Sequence, residues 1–146
     1  MEPIEVFLED RMYIVDVAVS LPGLLIEPNY RGLIDTGAMC TLVSPRVIED
    51  LQAPAYGKSH YRSANGQLQE TEKYVLTVSL RFAADSRPDN DAFFQTPILL
   101  EVLNIGNLNP KFDVILGMDF LSRFQIVLEA DLARITGLSA AFHHGD

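Results

Sequence analysis

The stretch "RGLIDTGAMCTLVS" (residues 31–44) places one carboxylate between two hydrophobic runs. Residues 32–34 are apolar or small and precede Asp35, and apolar residues resume at Ala38. Aspartate is depleted in the middle of β-strands, whereas Gly37 permits a tight turn. The pattern therefore predicts a buried strand that ends at Asp35 and a loop that presents the acid.

Composition and charge limit the possible functions of the chain. The chain has 146 residues, of which 48% are hydrophobic, so we expect a single folded domain over residues 1–146 with a sizeable core. A net charge of −9 argues against nucleic acid as the partner. Cys40 is the only cysteine, which excludes an intrachain disulfide and a thiolate metal cluster. His143 and His144 are interpreted as part of a frayed tail, and no metal site or cofactor is predicted.

Hydropathy along the chain predicts a protein that is not embedded in a membrane. No apolar run reaches the ~18 residues that a spanning helix requires. The first residues, "MEPIEVFLEDRMY", lack the basic region and apolar core of a signal peptide. We therefore expect a soluble, cytoplasmic protein.

The dominant pattern is that of short β-strands separated by turns. Alternation of apolar and polar residues is clearest in "KYVLTVSLRF" (residues 73–82). The other predicted strands span residues 4–8, 12–21, 30–35, 40–44, 92–105 and 112–116, with a hairpin over 125–138 whose turn lies near Ala130-Asp131. The pattern predicts a mostly β domain.

Two short helices complete the predicted elements. "SPRVIEDLQ" begins with Ser44 as a possible N-cap and Pro45 at the first helical position, and Pro54 follows its end. "GMDFLSRF" (residues 117–124) has the length of one or two turns. Between them, Asn65-Gly66 is a signal for a two-residue hairpin turn.

Asp35-Thr36-Gly37 can also be interpreted chemically. Two carboxylates held close together share a proton, because both cannot ionise at short range. One of them can then act as a general base toward water, and the other as a general acid toward a carbonyl oxygen. Thr36 can lock the loop by hydrogen bonding while its methyl group stays in the core. Such a pair suits the hydrolysis of amides.

Three separated segments resemble those of the retropepsin-like aspartic proteases. "LIDTGAMCTLVS" (residues 33–44) is similar to their active-site loop, including the alanine after the glycine and the threonine at position 41. "DVILGMDFL" (residues 113–121) is similar to their second signature, and "YRSANGQLQ" (residues 61–69) falls where the family has its flap. Loop, flap and signature follow in the family's order over about residues 10 to 130.

The resemblance implies a closed, barrel-like acid-protease fold with a flap hairpin. It also implies an aspartic endopeptidase acting on peptide or protein substrates, with Asp35 as the catalytic residue and Thr36, Gly37 and Ala38 as its supporting loop. Leu116 and Gly117 would pack beneath that loop. Ala64, Asn65 and Gly66 would form the flap tip.

A homodimer is implied because single-domain members of the family build the active site from two identical chains. This chain has one Asp-Thr-Gly. The other candidates for a second catalytic acid are Asp16, Asp113 and Asp119, and none of them is followed by Thr-Gly. The flap has one glycine instead of a glycine-rich tip, and the tail from Gln125 onward is longer than the C-terminal strand of the retroviral enzymes. The dimer interface can therefore differ from theirs.

Two alternatives are kept and one is rejected. Asp35 could be a structural acid that caps a turn, or the chain could be an inactive dimerisation or peptide-binding module that retains the protease fold. The intact Asp-Thr-Gly favours the enzyme. "NYRGLID" contains the "YRG" and "ID" of the dUTPases, but in reversed order and without their other motifs, so this family is rejected.

Overall fold

A computed structural model describes residues 4–24, 29–62, 65–82, 93–94, 97–104, 106 and 109–137. These residues form eleven strands and two short helices. The strands are β1 Ile4–Glu9, β2 Met12–Ser20, β3 Asn29–Ile34, β4 Leu42–Val43, β5 Gly57–Arg62, β6 Leu68–Phe82, β7 Phe93–Phe94, β8 Ile98–Asn104, β9 Val114–Leu116, β10 Phe124–Leu128 and β11 Leu132–Gly137. The helices are α1 Pro45–Leu51 and α2 Met118–Leu121. The predicted mostly β fold with two short helices is confirmed.

Six of the strands close into a ring. β2 pairs with β3, β3 with β9, β9 with β4, β4 with β8, β8 with β6, and β6 returns to β2. Most of these pairs are antiparallel, but β3–β9 and β4–β8 are parallel. Closure removes the exposed edges that these six strands would otherwise present.

The core fills the inside of this ring. Alternate residues of β6, from Tyr74 through Leu76 to Leu80, are buried, as the apolar alternation predicts. Val102 from β8 and Leu116 from β9 meet them there, both without any exposed surface. β2 is buried on both faces over residues 17–20, and it pairs along its edges with β3 and β6.

A second, smaller layer packs at one side of the ring. β1 pairs with both β2 and β11, and β10 pairs with β11 as the predicted hairpin. Helix α2 leads into β10, and the rings of Phe120 and Phe124 stack at 5.1 Å between centroids. The fully buried Phe120 ties this layer to the core.

The start of α1 differs from the prediction in one respect. Ser44 occupies the N-cap position and Pro45 begins the helix, but the Ser44 side chain does not cap it. The hydroxyl donates instead to the Asp113 carboxylate at 2.9 Å, and Arg46 donates to the other oxygen of the same carboxylate at 3.0 Å. The Asp113 carboxylate is a charged acceptor, and hydrogen bonds to charged acceptors are stronger than those between neutral groups.

The hairpin of β5 and β6 also differs from the prediction. Arg62 pairs with Leu68, so five residues of the sequence separate the paired strands, where a two-residue turn was predicted. Gly66 adopts a positive φ of 86° between these strands, and the Asn65 side chain accepts a hydrogen bond from the Gln67 amide at 3.1 Å. Asn65 and Gly66 thus lie between the two strands as predicted, but the strand pairing ends further from them than in a two-residue hairpin turn. Ser63 and Ala64 lie outside the described residues, as do His143 and His144 of the tail.

Candidate active site

The position of Asp35 follows from the strand order around it. β9 lies between β3 and β4, parallel to β3 and antiparallel to β4. The chain must therefore leave β3 at Ile34, cross the carboxyl end of β9 and return as β4. Residues 35–41 make this crossing, and this explains why an acid stands between two hydrophobic runs.

Hydrogen bonds hold Asp35 at the start of the crossing loop. Its amide donates to the Leu116 carbonyl at 3.1 Å, and its own carbonyl accepts from the Ala38 amide at 3.1 Å. The carboxylate oxygen Oδ1 accepts from the Gly37 amide at 2.9 Å. A carboxylate fixed to backbone in this way has one defined orientation. The Asp35 side chain is half-buried, so it still reaches solvent.

The other predicted loop residues are placed around this carboxylate. Thr36 and Gly37 are exposed, and Ala38 is half-buried. The prediction that the Thr36 methyl group stays in the core is wrong for the single chain, because the loop turns away from the ring at this point. Thr36 therefore lies on a free surface next to Asp35.

The second predicted segment runs directly beneath the loop. Leu116 is fully buried, and Gly117 lies against the backbone of Cys40. A Cβ atom at Gly117 would stand 2.4 Å from the Cys40 carbonyl oxygen, which explains why this position requires glycine. The structure thus brings residues 35–41 and 116–119 together, as the resemblance implies.

Two residues of this site were assigned no function by the sequence prediction. Thr41 is completely buried, and its hydroxyl donates to Asp119 Oδ1 at 2.8 Å while its amide donates to Asp119 Oδ2 at 3.1 Å. Asp119 was noted only as an acid that lacks the following Thr-Gly. A polar residue in the apolar run 40–43 and an acid in the first turn of α2 were the available signals, but neither indicates its partner.

Cys40 and Met39 complete the crossing loop. Burial raises the pKa of the Cys40 thiol, and the negative charge of Asp119 raises it further. The Cys40 side chain is half-buried and free of disulfide bonds. The Met39 carbonyl accepts a hydrogen bond from the Asp119 amide at 3.2 Å, while Met39 as a whole is 81% exposed. A large apolar side chain is therefore presented to solvent from an anchored backbone.

Asn65 and Gly66, two of the predicted flap residues, lie between β5 and β6. Arg62 donates to the Gly66 carbonyl at 2.6 Å. At the base of the hairpin, Thr71 donates to the carbonyl of Asn104 on β8. The hairpin therefore has an anchored base, and Asn65 and Gly66 are exposed at its tip.

Comparison with known proteins identifies the family. The aspartyl protease family model matches residues 17–120, which is more than half of the chain. This chain belongs to the aspartyl protease family. The matched range includes the Asp35 loop, the β5–β6 hairpin and the Leu116–Gly117 segment.

Comparison with solved structures bears on the fold of the chain. A retropepsin-like aspartic protease from Rickettsia conorii is similar with a TM-score of 0.59 and 18% identity, over 92% of this chain and 90% of that one. The retroviral protease-like domain of Ddi1 from Leishmania major matches with a TM-score of 0.43 and 15% identity, over 86% of this chain and 94% of that one. No curated protein sequence matches the chain. The first of these structures establishes the retropepsin-like fold.

Two further properties concern ligands and membranes. Within the described ranges, no group of three or more histidine, cysteine, aspartate or glutamate side chains is arranged to hold a metal ion. The helices that the structure describes are too short to cross a bilayer.

Proposed function

We propose that this protein is an aspartic endopeptidase that hydrolyses peptide bonds with water held between Asp35 and Asp35 of the partner subunit. The observation that carries the proposal is the anchoring of Asp35: a half-buried carboxylate, oriented by the Gly37 amide and tied through its own amide to Leu116. Membership of the aspartyl protease family supports it.

The chemistry requires two carboxylates at close range. Two such groups share one proton, so that one is a base and the other an acid at the same pH. The base takes a proton from the water as it attacks the scissile carbonyl, and the acid protonates the carbonyl oxygen and later the leaving amine. Proton transfer and water attack then need no cofactor.

A second copy of the chain would supply the second carboxylate. The sequence contains one Asp-Thr-Gly, and Thr36 and Gly37 are exposed beside Asp35. A two-fold axis beside this loop would bring the two Asp35 side chains together, and a two-fold dimer is the commonest oligomer. The exposed Thr36 hydroxyls would then hydrogen-bond across the axis.

The substrate would be an extended segment of a peptide or protein. The β5–β6 hairpin, with Ala64, Asn65 and Gly66 at its tip, would close over it as a flap. An extended peptide can add main-chain hydrogen bonds to such a strand pair. The anchored base of the hairpin at Thr71 leaves its tip as the part that would move.

The first experiment compares the protein with its Asp35→Asn variant on a diverse peptide library. The asparagine side chain keeps an oxygen for the Gly37 amide, so we expect the variant to fold as the parent does while cleavage falls at least about 1,000-fold. Equal unfolding curves confirm the fold. Cleavage that persists in Asp35→Asn assigns the activity elsewhere, and no cleavage by either protein supports an inactive binding module instead.

The second experiment tests whether two chains share one site. Asp35→Asn is mixed with an equal amount of the parent protein and the subunits are allowed to exchange. Heterodimers lack one carboxylate, so random pairing lowers the activity of the parent chains to about half. Activity that is unaffected by the variant would show that each chain acts alone, and this would overturn the shared dyad.

A further inference from the structure

The crossing loop that carries Asp35 is tied to helix α2 by backbone hydrogen bonds. The amide of Met118 donates to the Ala38 carbonyl at 2.8 Å, and the amide of Asp119 donates to the Met39 carbonyl at 3.2 Å. Loop and helix start therefore lie side by side. The first turn of α2 contains one acidic residue, Asp119, and its side chain turns back toward the loop.

A chain of hydrogen bonds leads from the Asp119 carboxylate to the Asp35 backbone. Asp119 accepts from the Thr41 hydroxyl at 2.8 Å, and that hydroxyl oxygen accepts from the Gly117 amide at 3.3 Å. The Gly117 amide and the Leu116 carbonyl belong to one peptide group. This carbonyl accepts from the Asp35 amide at 3.1 Å. The peptide group between Leu116 and Gly117 is thus hydrogen-bonded to Thr41 through its N–H and to Asp35 through its carbonyl.

The chemistry of this arrangement requires a carboxylate at position 119. Thr41 offers two donors, its hydroxyl and its amide, and each meets a different oxygen of Asp119. An asparagine has one oxygen and one NH₂ group, so it offers an acceptor at only one of the two positions that the carboxylate oxygens occupy. Because Thr41 is completely buried, water cannot replace the lost acceptor, and the hydroxyl would have to turn away from its present geometry.

We propose that Asp119 is a positioning residue of the hydrolytic reaction, which holds Asp35 in place through Thr41 and the Leu116–Gly117 peptide. The proposal rests on the proposed function for its catalytic part. In this role Asp119 contacts neither substrate nor water, and it affects the reaction only by fixing the position of Asp35. Displacement of a catalytic group by about 1 Å can lower a rate by about 100-fold, so a small loosening of this chain suffices.

The test uses Asp119→Asn together with a control of equal charge change, Asp16→Asn, at an exposed position on β2. We expect Asp119→Asn to lower kcat by about 10- to 100-fold, with KM changed by less than about threefold. Asp16→Asn is expected to keep both constants. An unchanged kcat in a folded Asp119→Asn variant overturns the proposal.

Substitutions at Thr41 probe the same link from its other side. Thr41→Val keeps the shape of the side chain but removes the hydroxyl, whereas Thr41→Ser keeps the hydroxyl. We expect a loss of kcat for Thr41→Val and near-parental kcat for Thr41→Ser. In the double variant Asp119→Asn with Thr41→Val, the loss should equal that of the worse single variant, because both break one link. Additive losses contradict the proposal, and Thr41→Val tests it alone if Asp119→Asn does not fold.

A readout that does not depend on cleavage separates this proposal from the proposed function. Amide hydrogen exchange at Asp35 and Gly117 reports directly on the hydrogen-bond chain. We expect exchange at these two amides to be at least about 10-fold faster in Asp119→Asn than in Asp16→Asn. Unchanged exchange overturns the positioning role even if the enzyme is active. Faster exchange in a protein that cleaves no peptide supports the link while the endopeptidase proposal fails.

Discussion

At the scale of single residues, Gly117 shows how closely the two halves of the site approach. Its position beneath Cys40 leaves no space for a side chain, since the nearest atoms belong to backbone. Backbone held by hydrogen bonds on both sides cannot move aside as the end of a flexible side chain can. The close packing of residues 35–41 against residues 116–119 therefore depends on the absence of a Cβ atom at Gly117.

We predict that Gly117→Ala strongly destabilises the fold. The added Cβ would meet the Cys40 carbonyl carbon at 2.5 Å and its oxygen at 2.4 Å, and overpacking of this kind costs about 3 kcal/mol. Denaturant unfolding measures the change. Gly57→Ala is the matched control, because its Cβ would meet only the movable Lys73 side chain at 2.8 Å; we expect a loss below about 1 kcal/mol there. Equal losses for both variants would contradict the argument.

At the scale of elements, the β5–β6 hairpin differs from the strands of the ring in how it is supported. Its outer part pairs only as two strands, from Lys58↔Glu72 to Arg62↔Leu68, because β8 joins β6 only from Lys73 onward. An isolated two-stranded ribbon is marginally stable in water. Ion pairs between β5 and β6, such as Lys58 with Glu70 at 3.4 Å, are exposed and contribute little. Its tip is therefore supported less than the strands of the ring are.

We predict that Gly66→Ala changes the hairpin more than Gly66→Asn does. Gly66 has φ of 86°, a conformation that costs alanine about 1 kcal/mol and that asparagine tolerates better. If the hairpin closes over substrate, Gly66→Ala should raise KM, with a smaller rise for Gly66→Asn. Peptide-cleavage kinetics and denaturant unfolding measure the two effects. A KM that is unchanged in both variants would argue against closure by this loop.

At the scale of the whole molecule, the closed ring fixes the relative position of its strands. Two tyrosines of these strands, Tyr30 and Tyr74, are buried. Tyr30 of β3 is buried, and its hydroxyl donates to Asp50 of α1 at 2.9 Å. Burial and the Asp50 carboxylate raise the pKa of Tyr30 above its usual range. Burial and Glu72 likewise raise the pKa of Tyr74 on β6. Both tyrosines thus remain neutral in the folded protein at pH values where an unfolded tyrosine ionises.

We predict that the free energy of unfolding falls as the pH rises above about 10, the pKa of an unfolded tyrosine. In that range the unfolded state has lost protons that the folded state keeps, so its slope against pH is negative. The stabilisation is fully present below this pH and is lost as pH rises toward the raised pKa of the folded state. Urea unfolding at several alkaline pH values measures it. Tyr30→Phe should show a shallower fall, and an equal fall would remove Tyr30 as a cause.

The chain's local patterns predicted most of its elements. Apolar alternation in β6, the Pro45 start of α1 and the hairpin of β10 and β11 depend on neighbours in sequence, and all three are confirmed. The five-residue separation between β5 and β6 was not predicted, because strand register depends on pairing along the entire hairpin. The Ser44 side chain bonds to Asp113 instead of capping α1 for a similar reason: its partner lies 69 residues away.

For the candidate site, the sequence by itself determined the Asp35 loop and its Thr36-Gly37 turn. These residues are needed for local backbone geometry, and that need is visible in a short stretch of chain. Only the tertiary structure decided that Asp119 meets Thr41, 78 residues apart. The two come together because β9 inserts between β3 and β4, and the hydrogen bonds of a buried hydroxyl depend on which acceptor the fold brings to it.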